Sequence, residues 1–478
     1  MIERDAGVER GGRVVVVGGG VAGLATGHRL LRAGSERAHP IELTVVEADR
    51  RVGGKLRSIE VGGLSLEAGA DSFVARKPWG VELCRELGLA GELVRPGASG
   101  AYLWTDRGLV RFLTDAAFGI PADVGDVLRW PGLSRGGRAR AAQDLVRKPR
   151  KDPSDESLGS LLRRRLGDEA TDLAVGPLLA GLFAGDVDRL SVLATFPELT
   201  VWERRQGSLI RGAQAARRAA REVADTPMFV RLAGGTSRLT DALAESIGHH
   251  RVLTDEPATS IERGDRGWVV RTASGVLEAD AVVLATPAFE SARLLADVAS
   301  VSAALLGGIP YVSTAVVFLV YAEGTGDALP DGTGFVVPSG SAPMTACTWL
   351  SNKWPREEYG SRAVVRCYVG AAGFEDVVDE PEGDIVDAVA RHLAAVLPLP
   401  ERFDASGSYR WRRAMPQYEV GHLERVADIR ESLPSGIFVT GSAFAGVGIP
   451  DCVRDAGETA AAASDHLVAL AAEKETVR

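Results

Sequence analysis

Residues Val14-Val15-Val16-Val17 follow Arg13 as an unbroken apolar run, the pattern of a strand buried on both faces of a parallel sheet. The run enters Gly18-Gly19-Gly20-Val21-Ala22-Gly23, after which apolar positions at Leu24, Ala25, Leu30 and Leu31 keep a helical period up to Gly34. A second apolar run over 41–46 ends at Glu47, completing a βαβ unit. Residues 79–221 have a different texture, with short helical patterns over 82–87, 157–166 and 172–182 broken by Pro and Gly. Gly234-Gly235 then introduces a helix over 239–247. Strand patterns follow near 252–253, 258–262, 268–272 and 281–285, the last closing on Thr286-Pro287. Residues 290–405 mix strands and helices. Gly436 to Gly441 is again a buried strand, and it leads through Gly446-Val447-Gly448-Ile449-Pro450-Asp451 into a long Ala-rich helix.

One stretch needs arbitration. Residues 298–322 carry no charge, which is long enough to span a bilayer. Gly307-Gly308 and Pro310 interrupt it, and the β-branched run after Tyr311 reads as a loop followed by a buried strand. No transmembrane helix is expected. The first 13 residues are charged and hold no apolar run, so no signal peptide is expected either.

At 478 residues the chain has room for about three domains. Glycine is the compositional outlier, 56 residues or about 12% against the usual ~7%. The net charge of −9 argues against nucleic acid as a partner. Cys84, Cys347, Cys367 and Cys452 are scattered without a CxxC, which fits a reducing cytosol and excludes a zinc ribbon or disulfide scaffold. His249-His250 lacks neighbouring Cys or acid ligands and reads as a turn, so no metal is expected. Against the acidic whole, residues 129–151 hold eight Lys or Arg and one acid, Asp144. Such a block is either a solvated basic loop or a patch for anionic lipid or an acidic partner protein.

The glycine fingerprint carries the first chemistry. Gly18 makes the tight turn, Gly20 admits a pyrophosphate and Gly23 allows close helix–strand packing. The phosphates then meet the helix N-terminus, and Glu47 accepts hydrogen bonds from a ribose. NAD and FAD both use this unit. Residues Arg51-Val52-Gly53-Gly54-Lys55-Leu56-Arg57-Ser58 and the small-residue crossing at Gly69-Ala70-Asp71-Ser72 favour an extended FAD, with a basic side chain beside a phosphate. In the C-terminal motif, Pro450 marks a helix start whose positive end faces the flavin. No Ser-His-Asp, metal or paired-carboxylate constellation is present in the sequence pattern, so no catalytic side chain is assigned beyond the flavin.

The termini resemble the flavin amine oxidase superfamily. The segments 69–77 (GADSFVARK), 181–186 (GLFAGD) with Leu190-Ser191, Trp411 with Pro416-Gln417-Tyr418, and 446–452 (GVGIPDC) are similar to the oxygen-dependent protoporphyrinogen and coproporphyrinogen oxidases. Within these, the resemblance is strongest to the soluble coproporphyrinogen III oxidases of Gram-positive bacteria. It implies an α/β fold: a Rossmann-like FAD-binding domain in three parts (1–78, 222–289, 406–478), an inserted helical domain (79–221) facing a membrane or partner, and a mixed-sheet substrate domain (290–405). It places Gly18, Gly19, Gly20, Val21, Ala22 and Gly23 at the pyrophosphate, and Glu47 and Ala48 at the ribose. Lys55 falls beside the flavin, Gly69, Ala70, Asp71 and Ser72 at its edge, and Ala258 near adenine. Trp411 lies near the flavin, and Val447, Gly448 and Ile449 against its pyrimidine side. Ala258 and Ala70 depart from the family's usual Val and Pro.

The implied reaction is six-electron oxidation of coproporphyrinogen III by three O2, giving coproporphyrin III and three H2O2, in haem synthesis. Flavin supplies the redox chemistry. Asp71 is read as structural before it is read as a pyrrole base. Four propionates need basic partners at an apolar slot. Lys77 is the first candidate, with Arg76 beside it and Arg57 behind. The rival readings are a protoporphyrinogen IX oxidase, an amine oxidase or carotenoid desaturase, and a flavin-binding porphyrin carrier without turnover. The resemblance also implies a cytoplasmic protein, with room for peripheral membrane contact and for transient contact with a ferrochelatase-type enzyme downstream.

Overall fold

A computed structural model describes residues 11–476 other than 38, 106, 114–115, 223–225 and 339. Residues 1–10, on which the signal-peptide expectation falls, lie outside the described residues.

The continuous apolar runs build a parallel five-stranded sheet. Gly12–Val17 lies between Ile41–Val46 and Ala281–Leu284, with Val252–Leu253 and Ile437–Val439 at the two edges. Both faces are covered, which is why its central strands cannot alternate. Val14, Val16 and Val283 pack against helices Val21–Glu36, Ser237–Ile247 and Ile449–Thr476. Val15, Val17 and Val282 pack against Ile261, Trp268 and Val270 of an antiparallel three-stranded sheet and against helices Ala288–Leu295 and Ser300–Gly307. The uncharged stretch read as a loop before Tyr311 therefore contains a helix, Ser300–Gly307, which buries Leu306 in this layer. The strand after it runs Tyr311–Val320 as expected. Among the described residues no helix is long and apolar enough to cross a membrane.

A seven-stranded mixed sheet stands beside this layer, in the order Ala405–Pro416, Tyr311–Val320, Val364–Val369, Ala346–Trp349, Gly334–Val336, Tyr102–Thr105 and Gly108–Arg111. Only the pairing of Gly334–Val336 with Tyr102–Thr105 is parallel. Two of its strands thus come from residues 79–221, and its edge strand begins at Ala405. One face, with Val317, Leu319, Cys347 and Val365, packs on helix Glu382–Val396. The other face is open in its middle.

Apart from the short strand Leu93–Val94, the regular structure in the rest of residues 79–221 is helical, with its own core around Leu158, Leu161, Leu162 and Leu199. Its basic block is occupied in part. Arg140 donates to the carbonyls of Arg163, Arg164 and Arg165, Arg138 to Trp130 and Leu128, and Arg150 to Asp152. Arg147, Lys148 and Lys151 are exposed. Beneath them Arg165, fully buried, holds Asp144 at 2.5 Å and the carbonyls of Arg147, Lys148 and Gly207. Asp144 also accepts from Ser208 and the Ile210 amide. The block is therefore a carapace over a buried ion pair. Removing one partner of such a pair strands the other charge at about 3–5 kcal/mol. Asp144→Ala is expected to destabilise the helical region by that amount in denaturant unfolding, while Arg147→Ala, which keeps its carbonyl, changes stability by less than about 0.5 kcal/mol.

Candidate functional site

The fingerprint loop is set by backbone packing. Gly18 turns with φ +111°, and a Cβ there would stand 2.8 Å from the Ala285 carbonyl oxygen. A Cβ on Gly23 would lie 1.9 Å from the Gly18 oxygen, so the first helix can press on the strand only without one. On Gly20 a Cβ would meet nothing within 4 Å, and this is the open side of the loop. Glu47, at the end of the next strand, accepts from the Gly19 amide at 2.6 Å and from the Asp49 amide at 2.8 Å. Ala48 is exposed beside it, and Ala258 is buried in the layer beneath Val46.

The second glycine pair closes over the first. Gly53 donates to the Gly19 carbonyl at 2.8 Å, and a Cβ on Gly54 would approach the Gly20 Cα at 3.3 Å. Arg51 does not face a phosphate: its guanidinium holds the carbonyls of Val52, Gly54 and Leu56, fixing its own loop. Lys55 is the basic group left to the cradle. Its Nζ donates to Ser442 Oγ at 3.2 Å, lies 6.0 Å from the Tyr311 ring and has no acid partner among the described residues. Burial lowers its amine to about 8. Ser442 follows the edge strand Ile437–Val439, and its carbonyl accepts from the Tyr418 hydroxyl at 2.7 Å. The same hydroxyl accepts from the Gly446 amide at 2.9 Å. Tyr418 stacks flat on His422, 4.1 Å between centroids, and burial pushes that imidazole down to about 4.

The Gly69–Ser72 crossing lies against the same loop, since a Cβ on Gly69 would be 1.7 Å from the Lys55 carbonyl oxygen. Ala70 is exposed, and Ser72 donates to Asp71 at 2.9 Å. Asp71 is buried and paired with Lys353 Nζ at 2.7 Å. Burial alone would raise its carboxyl, but Lys353, with Arg366 behind it, holds it at about 2. It remains ionised at neutral pH, which fits a structural part and leaves it a poor proton acceptor. Arg366, buried on the mixed sheet, donates to the carbonyls of Gly69 at 2.7 Å and Ala68 at 3.2 Å. Trp411 Nε1 donates to the same Ala68 carbonyl at 2.8 Å. Its ring sits 4.5 Å from Tyr409 on the same strand, and no aromatic of the C-terminal motif faces it.

The open face of the mixed sheet follows from register. Tyr409, Val316, Tyr368, Ala346, Val336 and Leu103 stand side by side on successive strands. At one end Leu103 belongs to the helical core, and at the other Val316 packs with Leu66 and Ala68. Between them Thr314, Ala346, Thr348, Tyr368 and Trp411 are only half-buried. The Thr348 and Tyr368 hydroxyls are 3.4 Å apart, and Arg366 lies 4.7 Å from the Tyr368 ring. This half-buried strip, between the helical region and the glycine crossings, is the candidate floor of a substrate slot.

The basic candidates are placed unequally. Arg57 bonds Tyr409 at 2.7 Å and lies 3.5 Å from Asp49. Lys77 is held by both oxygens of Asp451 at 2.7 and 2.8 Å. Arg76 is exposed with no ion pair among the described residues. Val447 and Gly448 are half-exposed, and Ile449 opens the last helix with Pro450 and Asp451 in its first turn. That helix end thus carries a carboxylate and does not present a bare positive end. Lys353, Arg366 and Ser442 were not visible as site residues in the sequence, and Asp451 stood there only as part of the C-terminal motif. A lone Arg in the apolar strand Val364–Val369 and a lone Asp at a small-residue crossing were the available signals.

The flavin containing amine oxidoreductase model matches residues 21–464. The chain belongs to that family. It is 35% identical to the coproporphyrinogen III oxidase of Bacillus subtilis over 96% of this chain and 98% of that one. It is 28% identical to chloroplastic protoporphyrinogen oxidase 1 of Arabidopsis thaliana, covering 93% and 87% of the two chains. A crystal structure from Exiguobacterium sp. 255-15, assigned as a protoporphyrinogen oxidase, superposes with a TM-score of 0.85 at 31% identity, covering 95% and 99% of the chains. As in the family, the cofactor is FAD, and the residues fit it. Among its glycines the fingerprint loop is open at Gly20, and the buried Lys55 amine lacks an acid partner among the described residues.

The amine gives a pH signature. Unfolded, Lys55 titrates near 10.5, so burying its charge costs roughly 3 kcal/mol below pH 8, and this cost fades as pH rises from 8 to 10.5. Lys55→Met is expected to stabilise the apoprotein by up to that amount at pH 7 and by little near pH 10, while weakening FAD binding. Denaturant unfolding at the two pH values and an FAD titration check both halves.

Proposed function

We propose that this flavoprotein is a porphyrinogen oxidase whose substrate is coproporphyrinogen III, which loses six electrons and six protons to three O2 and leaves as coproporphyrin III with three H2O2. The observation that carries this reading is the reach of the Bacillus subtilis match. At 96% of the chain it takes in the helical region and the slot floor as well as the cofactor loops that all family members share. FAD, when bound, supplies the two-electron acceptor chemistry and its return to O2. The chain's own groups orient and exclude. Trp411 and Arg366 fix the Ala68 and Gly69 carbonyls beside the slot, and Tyr368 and Thr348 offer hydroxyls at the floor. Among the basic candidates Arg76 is the cation free to meet a propionate, because Lys77 and Arg57 are already partnered.

A second reading, protoporphyrinogen IX as substrate, draws on the likeness to the Arabidopsis enzyme. Side-by-side turnover decides between them: holoenzyme is given each porphyrinogen, with porphyrin fluorescence and peroxide followed together. Preference for coproporphyrinogen III with one peroxide per electron pair is the expected outcome. Faster turnover of protoporphyrinogen IX would transfer the assignment, and flavin reduction by neither would remove it. For the floor, Tyr368→Ala should raise KM about 10-fold, equivalent to ~1.4 kcal/mol of lost contact, with FAD retained.

A further inference from the structure

We propose that the Lys77–Asp451 ion pair is the pin that sets the C-terminal glycine loop against FAD, and that Lys77 acts through Asp451 as a positioning residue. The inference rests on the FAD site and is independent of which porphyrinogen is turned over.

The two segments that flank the flavin site, 69–77 and 446–451, lie at opposite ends of the chain, 374 residues apart at this pair. Lys77 Nζ contacts both oxygens of the Asp451 carboxylate. Asp451 is in turn packed into the loop it follows. A Cβ on Gly446, whose φ is +132°, would stand 2.6 Å from the Asp451 Cβ, and one on Gly448 would stand 3.0 Å from Oδ2. The loop has no strand of its own and is held by the Tyr418 hydroxyl and by the first two turns of the last helix. Arg454 donates to the Ala445 carbonyl at 3.2 Å, and Cys452 Sγ approaches the Gly446 carbonyl at 3.7 Å. One turn further along the helix, Arg454 lies 5.3 Å over the ring of Trp79, two residues beyond the other segment.

Two charges in this arrangement have different surroundings. The Asp451 side chain is 13% exposed, whereas that of Lys77 is 45% exposed. Removing Lys77 therefore leaves a mostly buried carboxylate under the loop without its cation, whereas a substrate propionate would have to displace that carboxylate to reach the ammonium. The geometry points to a fixed clasp and away from a substrate hook. Because one partner is half in solvent, the clasp should also feel salt.

The test measures FAD release from holoprotein, read as the rise in free-flavin fluorescence, in wild type, Lys77→Ala, Asp451→Asn and the double variant. Each single variant is expected to release FAD about 5- to 10-fold faster, with the double variant no faster than either, since both remove one interaction. Added salt should accelerate release in wild type and not in the variants. The visible circular dichroism of bound flavin should change alike in the two single variants. Release at the wild-type rate in both single variants, or losses that simply add in the double variant, would overturn the pin. So would a rise in KM for coproporphyrinogen III in Lys77→Ala with FAD release unchanged, which would return Lys77 to the substrate.

Discussion

The site depends on backbone meeting backbone where three separate stretches of chain cross. Gly23 lies on the Gly18 carbonyl, Gly54 on Gly20, and Gly69 on the Lys55 carbonyl, at distances where a single Cβ would collide or crowd its neighbour. Side chains are excluded from these crossings, and the Lys55 amine is buried beside them. Its position is forced: the peptide of Lys55 is clamped against Gly69, and Arg51 ties down the carbonyls on either side. Close packing and an uncompensated buried charge are thus one construction. The apoprotein carries the cost of that charge.

Charge around the site follows the same logic. Its acids are already engaged: Asp71 by Lys353, Asp451 by Lys77, Glu47 by two amides, and Asp455 by Arg430, Thr440 and the Gly441 amide. Its cations are not all matched, since Lys55 has one hydroxyl and Arg366 has carbonyls and ring faces. The unmatched sign is positive, which suits phosphates and propionates together. Proton acceptors are scarce by contrast. Asp71 is held at about 2, and His422 at about 4 and stacked on Tyr418. The chemistry therefore belongs to the cofactor, and the protein contributes shape and field.

What could be read from sequence follows from how far apart the interacting residues are. The βαβ unit was legible because a strand covered on both faces must be apolar at every position, and the fingerprint follows directly after it. The slot floor was not, because each of several strands contributes one or two residues to it and each strand alone looks like any alternating strand. Two strands of that sheet were hidden in residues 79–221, where Pro and Gly between short helical patterns masked Tyr102–Thr105 and Gly108–Arg111. Lys77 illustrates the limit most directly. Two adjacent cations past a flavin-facing turn invite an anionic substrate, yet the anion that meets Lys77 is Asp451, and adjacency in sequence carries no information about an acid at the far end of the chain.

One segment joins all of these parts. Strand Ala405–Pro416 presents Tyr409 and Trp411 to the slot, then shifts register between Val312 and Thr314 on its partner strand. There Arg413 takes φ +46°, its amide on Ser313 Oγ and its guanidinium 3.8 Å from the Phe289 ring. A left-handed Arg costs of order 1–3 kcal/mol. What it permits is a change of direction, because four residues on Gln417 donates to the Phe183 carbonyl of the helical region, and Tyr418 reaches Ser442 and Gly446. Without the bulge the strand would continue straight along the sheet. The strain at Arg413 is thus the local consequence of making one strand serve the slot, the helical region and the cofactor loop at once.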